Sequence, residues 1–277
     1  MTRPGEDKEA DYPAILTCAS VTRLGAAHCG AVLVAGSHGG LIAAALAARA
    51  QVHALILSDA GIGLDNAGIA GLCLLEDAGM AAAAVDVFSA RIGDGADMLA
   101  RGVISRVNTC AAAAGVHAGM TTAAAAALLR LAAAPHALPP PLDESVHLLR
   151  QTPGQRSVWG LDTVSQATVA HDDAVVVCGS HGALLDGRPE LALRCAAHAA
   201  LFNDAGIGID DAGIGRLPAL DLRGIAAAAV DAMTARIGDA RSTWESGIVS
   251  RVNRTAARAG ARPGMTARDF TALFLTC

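Results

Sequence analysis

The chain has 277 residues, 53% of them hydrophobic, and a net charge of −5 with no basic block. That length supports one large domain or two modest ones, and the acidic balance with only 3% aromatic residues excludes a nucleic-acid-binding face. Lys8 and Tyr12 are the only residues of their kinds, and both are near the N-terminus, which removes P-loop chemistry and a pyridoxal-phosphate Schiff base.

Residues 1–13 are charged and polar without an apolar signal core, and read as the flexible tail of a cytoplasmic protein. A β-branched run at 31–35 predicts a buried strand ending in Gly36-Ser37-His38-Gly39, followed by a helix over 41–50. A second strand is predicted over 52–57. It ends at Ser58-Asp59 and leads through a glycine-rich loop to a helix that Asp65 would cap. The apolar run 80–87 predicts a third strand, ending before Arg91 and Asp94. A long helix is then expected to carry Ser105 and Asn108, which would share a face and bond to the other half of the chain. Residues 135–156, with Pro135, Pro139–Pro141 and Pro153, read as a Pro-rich linker.

Beyond that linker the same text returns. VLVAGSHG at 32–39 recurs as VVVCGSHG at 175–182, and DAGIG at 59–63 recurs at 204–208. ARIGD at 90–94 recurs at 235–239, and SRVN at 105–108 recurs at 250–253. The offset grows from 143 (Ser37 to Ser180) to 145 (Asp59 to Asp204), so two residues enter between these motifs. Such self-similarity predicts a tandem duplication of one α/β unit, residues 14–134 and 157–277. Strands alternating with helices imply a mostly parallel sheet, and the two lobes would be related by a pseudo-two-fold axis. The matching expectation for the second unit places strands at 174–178, 197–202 and 225–233 and a helix at 189–195. The apolar stretches are broken by Gly, His, Ser or Asn and are not membrane spans. The seven cysteines form no CxxC motif and read as reduced thiols.

In open parallel sheets, ligands bind beyond the carboxyl ends of the strands. Three polar clusters fall at such ends in each copy, and they supply the candidate residues. Ser37 and Ser180 would be nucleophiles or anchors, His38 and His181 acid–base groups, and Asp59 and Asp204 their orienting carboxylates. Gly39, Gly61, Gly63, Gly182, Gly206 and Gly208 would let the backbone approach a substrate, and Arg91 and Arg236 would grip its carboxylate. Structural alternatives exist for each: a turn serine capping a helix, an N-cap aspartate at Asp65 or Asp210, an ion pair from Arg91 to Asp94 or from Arg236 to Asp239. His28, His53, His171 and His198 fall at the opposite strand ends and read as structural.

With Ala35 or Cys178 in front, the strand–Gly–Ser–His–Gly–helix passage resembles the nucleophile elbow of α/β hydrolases over about ten residues. It departs at the first position, where the elbow has glycine. The expected function is an enzyme acting on a small anionic carboxylate or amide, most simply a hydrolase of an amide, cyclic amide or ester. The alternatives are a lyase or isomerase moving protons with His and Asp, or a binding module for a small anion or nucleotide. No cofactor is expected. A divalent metal would need ligands pooled from both copies, since no HxH, HxxxH or HExxH occurs. A homo-oligomer is expected from the alanine-rich faces, and a membrane or nucleic-acid partner is not.

Overall fold

The computed structural model describes residues 12–276, so most of the expected 1–13 tail lies outside the described residues. In the first half the strands are β1 (Ile15–Cys18), β2 (Val32–His38), β3 (Ala54–Ser58), β4 (Ala81–Val85) and β5 (Ile104–Val107). Its helices are α1 (Leu41–Arg49), α2 (Gly71–Asp77), α3 (Gly95–Arg101), α4 (Thr109–Ala113) and α5 (Thr122–Leu129). The second half has β6 (Val146–Arg150), β7 (Val158–Leu161), β8 (Val175–His181), β9 (Ala199–Asn203), β10 (Ala226–Val230) and β11 (Val249–Val252). Its helices are α6 (Arg216–Asp221), α7 (Ala240–Ser246), α8 (Arg254–Arg258) and α9 (Ala267–Ala272).

The strands form two sheets, β1-β2-β3-β4-β5 and β11-β10-β9-β8-β7-β6. The inner strands run parallel in chain order, while β5, β6 and β11 are antiparallel edges. Parallel strands must be covered on both faces, and alternate side chains go to opposite layers. Leu33, Ala35, Leu55, Leu57, Ala82 and Ala84 pack under α1 and α2. Val32, Val34, Ile56, Ala83 and Val85 pack against Met98 of α3 and Ala125, Ala126 and Leu129 of α5. The run AAAAV is a buried strand in both halves. Alanine has little intrinsic strand preference, so burial between two layers is what holds these runs in the sheet.

Several local expectations need correction. Ser105 and Ser250 lie on the antiparallel strands β5 and β11, not on a helix; in β5 the ladder slips beside Ser105, so that Ile104 and Val107 both turn to the core. Asn108 and Asn253 then cap α4 and α8. They bond within their own half: Asn108 Oδ1 accepts from Ala82 N and Ala111 N, and Nδ2 donates to Met80 O and Leu72 O. The helix expected at 189–195 is replaced by short 3-10 turns at Leu185–Gly187 and Pro189–Leu191; Pro189 opens the second turn, which ends at Leu191. The Pro-rich stretch 135–156 contains β6, which extends the second sheet.

The halves meet through their glycine loops. Leu64 N donates to Ala232 O at 2.8 Å, and Ile209 N donates to Val87 O at 3.0 Å. These are matched positions, with donor and acceptor exchanged between halves. A side chain on Gly61 would come within 3.1 Å of Gly206 Cα, so glycine is needed where the two loops touch. Ala60, Val87, Ile92, Ala183, Ala205 and Ile237 form a small apolar cluster drawn from both halves. Arg236 pairs with Asp65 at 2.7 Å, and Arg101 with Asp210 at 2.9 Å, closing the rim of this interface.

Each buried Asn makes four bonds to main-chain groups that have no water to turn to. Asn108→Ala or Asn253→Ala is therefore expected to cost roughly 2–4 kcal/mol, read as a lower denaturant midpoint at unchanged m value.

Candidate functional site

The carboxyl ends of β2 and β8 face each other across the junction of the halves. The strand ladders break register between Val34 and His38 and between Val177 and His181, and this turns the Gly-Ser-His segments out of regular pairing. The His38 and His181 ring centroids are 6.3 Å apart, nearly perpendicular. They therefore share one cleft. Ser37, Ser180, Arg23, Arg194, Arg216 and Thr163 are among its other lining residues, and Val21, Ile42, Leu46 and Leu185 give it an apolar side. Its cavity volume is about 60 Å³, room for roughly four water molecules or one small organic ion.

Both histidines are buried and locked in one tautomer. His38 Nδ1 accepts from Gly40 N at 3.1 Å, and His181 Nδ1 accepts from Ala183 N at 3.3 Å. An acceptor Nδ1 leaves the proton on Nε2, so each neutral ring is an N–H donor at that atom. Burial lowers the His38 pKa to about 4 and puts that of His181 well below its ordinary value, with the Arg216 charge adding to the effect on His181. Gly40 and Gly238 make room for the His38 ring: a side chain at Gly40 would stand 2.7 Å from Nδ1, and one at Gly238 3.2 Å from Cε1.

Neither serine is bonded to a histidine. Ser37 Oγ accepts from Val21 N at 3.0 Å, and Ser180 Oγ accepts from Val164 N at 3.1 Å and lies 3.2 Å from Cys178 Sγ. Asp59 and Asp204 do not orient the histidines. Asp59 accepts from Gly61 N, Val87 N and Ser105 Oγ, and Asp204 makes the matching bonds to Gly206 N, Ala232 N and Ser250 Oγ. They clamp the strained loops, in which Ala60, Ile62, Ala205 and Ile207 all take positive φ. Burial raises both carboxyl pKa values, against the lowering effect of those bonds.

The glycines and arginines named from sequence also serve elsewhere. Gly61, Gly63, Gly206 and Gly208 pack the loops against the opposite half. Gly39 and Gly182 admit the carbonyls of Gly68 and Gly213, each 2.7 Å from where a side chain would begin. Arg91 bonds Asp97 at 2.8 Å, not Asp94, while Arg236 pairs with Asp65 and Asp239. Asp65 and Asp210 are not N-caps: both have positive φ and face arginines across the interface. Among the described residues, no three His, Cys, Asp or Glu side chains gather where a metal would sit.

The residue that sequence reading missed is Arg216. It is fully buried at the start of α6, and its Nη1 donates to Leu191 O and Ala192 O. Its Nε and Nη2 are buried and have no hydrogen-bond partner among the described residues. The guanidinium stands 5.6 Å from the Phe202 ring centroid, and burial lowers its pKa to about 10, which leaves it charged at neutral pH. Buried cations are ordinarily paired, and this one has two free donors and no carboxylate beside it. The motif spacing that matches Asp59 to Asp204 places Gly71 opposite Arg216. Gly71 lets α2 sit against Ala44 of α1, whereas the second half has 3-10 turns where α1 would be and so has space for an arginine. An Arg at an otherwise glycine position, close behind the insertion of two residues, was the available signal.

No family model, curated protein or solved structure matches the chain. No helix among the described residues is long and apolar enough to cross a membrane.

His38 titrates near pH 4 when folded and near 6.5 when unfolded, so the unfolded chain binds the extra proton in between. Its contribution is complete above pH 6.5 and is lost as pH falls toward 4, roughly 3 kcal/mol in all. In denaturant titrations from pH 7 to pH 4, wild type should lose more stability than His38→Gln by about that amount. Equal losses would contradict the buried neutral ring.

Proposed function

We propose that the two halves descend from one duplicated α/β unit, and that the cleft between their strand ends takes up a small carboxylate and polarises it. The observation that carries this reading is the unpartnered Arg216 guanidinium in a cleft lined by donors. A carboxylate would satisfy Nε and Nη2 together in the forked geometry that Arg favours. The Nε2–H groups of His38 and His181 are neutral donors, suited to a carbonyl oxygen that gains negative charge. Ser37 keeps its hydroxyl proton available in the same space, while Ser180 shares a hydrogen bond with Cys178 Sγ. The exchanged main-chain bonds at Leu64 and Ile209, together with the repeated motifs, support the duplication.

Among the functions expected from sequence, this arrangement favours a module that binds and polarises a small carboxylate over serine hydrolysis or proton transfer, since both reactions need a base. Attack by Ser37 or Ser180 requires a base for the hydroxyl proton. The unprotonated ring nitrogen of each histidine already accepts a backbone N–H, and no Asp or Glu among the described residues lines the cleft. Proton movement beside the polarised carbonyl is the second reading, with a solvent molecule in the cleft taking the proton.

Thermal unfolding with and without pyruvate tests the site. Pyruvate should raise the Tm of wild type, following RT ln(1 + [L]/Kd), and leave that of Arg216→Met unchanged. A shift of equal size in both proteins would remove Arg216 from the site. Exchange of the pyruvate methyl protons into D2O, followed by NMR, separates the readings. Catalysed exchange that drops at least tenfold in His38→Gln/His181→Gln supports an enzyme, and binding without exchange supports the module.

A further inference from the structure

The cleft holds more positive charge than one carboxylate needs. Arg23 closes the 3-10 turn Val21–Arg23, Arg194 follows the irregular stretch that replaces a helix in the second half, and both line the same cavity as Arg216. Both side chains are exposed, at the cavity's solvent side, whereas Arg216 is fully buried. None of the three makes an ion pair with a described carboxylate within 4.0 Å, whereas Arg91, Arg101 and Arg236 nearby are all paired. Arg23 is close enough for its charge to add to the burial that lowers the Arg216 pKa.

The repeat sharpens the point. By motif spacing, Gln166 stands opposite Arg23, Gly71 opposite Arg216 and Arg49 opposite Arg194. Arg49 is bound to Asp143 and Leu142 O, away from the cleft. None of the three matched positions lines the cleft, so its cations stand without a counterpart there, one deep and two at the mouth. Like charges gathered without counter-charge repel one another, and a ligand that brings two negative charges relieves both ends at once.

We propose that the ligand is a short dicarboxylate, with one carboxylate on buried Arg216 and the second between Arg23 and Arg194. The inference rests on the carboxylate site described above. A cavity of about 60 Å³ limits the acid to a few carbons. The histidine Nε2–H groups then face the middle of the molecule, and the apolar side formed by Ile42, Leu46 and Leu185 covers its carbon chain.

Calorimetric titration at constant ionic strength compares acids of equal carbon number, propionate against malonate and butyrate against succinate. One dicarboxylate should bind wild type at least tenfold more tightly than its monocarboxylate partner. Arg23→Gln and Arg194→Gln should each weaken the dicarboxylate about tenfold and change the monocarboxylate less than twofold, while Arg216→Met should weaken both. Equal binding of mono- and dicarboxylates that still depends on Arg216 overturns this inference and leaves the single-carboxylate site standing. Equal weakening of both acids by the mouth variants assigns Arg23 and Arg194 to general steering and also overturns it. If none of the four acids binds wild type, the carboxylate site itself falls.

Discussion

The structure depends on the close approach of two glycine loops. Leu64 and Ile209 each donate a main-chain N–H to a carbonyl of the opposite half, and Gly61 and Gly206 touch where a side chain on either would collide. These loops follow β3 and β9, so their contact sets the carboxyl ends of one sheet against those of the other. Asp59 and Asp204 make the approach possible. Each buried carboxylate collects two N–H groups and a serine hydroxyl, and so holds a loop whose non-glycine residues stand in left-handed conformations that cost about 1–2 kcal/mol each. The strain is local, and it is offset by the aspartate clamp within each half together with the main-chain bonds to the other half.

With the strand ends opposed, the next constraint is electrostatic. One side of the cleft is apolar, formed by Val21, Ile42, Leu46 and Leu185, and screens charge poorly. Under those conditions a histidine stays neutral, and each ring here has its tautomer set by the N–H two residues on. An arginine cannot shed its proton in the same way, so Arg216 carries its charge into the interior and relies on two carbonyls and the Phe202 face. The difference between these two responses to burial gives the cleft its character, with neutral N–H donors beside a fixed cation. Alanine contributes by keeping layers close, as in the AAAAV strands, where larger side chains would separate sheet from helices.

The second half departs from the first where the cleft needs space. In the first half α1 packs on Gly71 through Ala44 and leaves no room for a long side chain. In the second, 3-10 turns at Leu185–Gly187 and Pro189–Leu191 stand where that helix would be, and the carbonyls of Leu191 and Ala192 are acceptors for Arg216. The absence of a helix there and the buried arginine are one arrangement seen from two sides.

Much of this was legible in the residues. The hydrophobic runs marked β2, β3 and β4 and their counterparts to within a few positions, because a strand covered on both faces must be apolar throughout. The motif GSHG marked the two strand ends that meet. The antiparallel strands β5 and β11 were read as helix because four residues are too few to separate period two from period 3.6 when alanines follow. The roles of Asp59, Arg91 and the DAGIG glycines were misplaced for a different reason. A carboxylate, a guanidinium or a flexible turn suits a ligand and a neighbouring loop equally well, and sequence alone does not say which is nearer. The amino-acid order determined the alternating α/β character, the apolar strands and the paired polar turns, since these follow from local periodicity and turn chemistry. Only the tertiary structure decided that the glycine loops bind each other, that His38 meets His181, and that Arg216 is buried without a partner, because those facts depend on how distant segments fill a shared space.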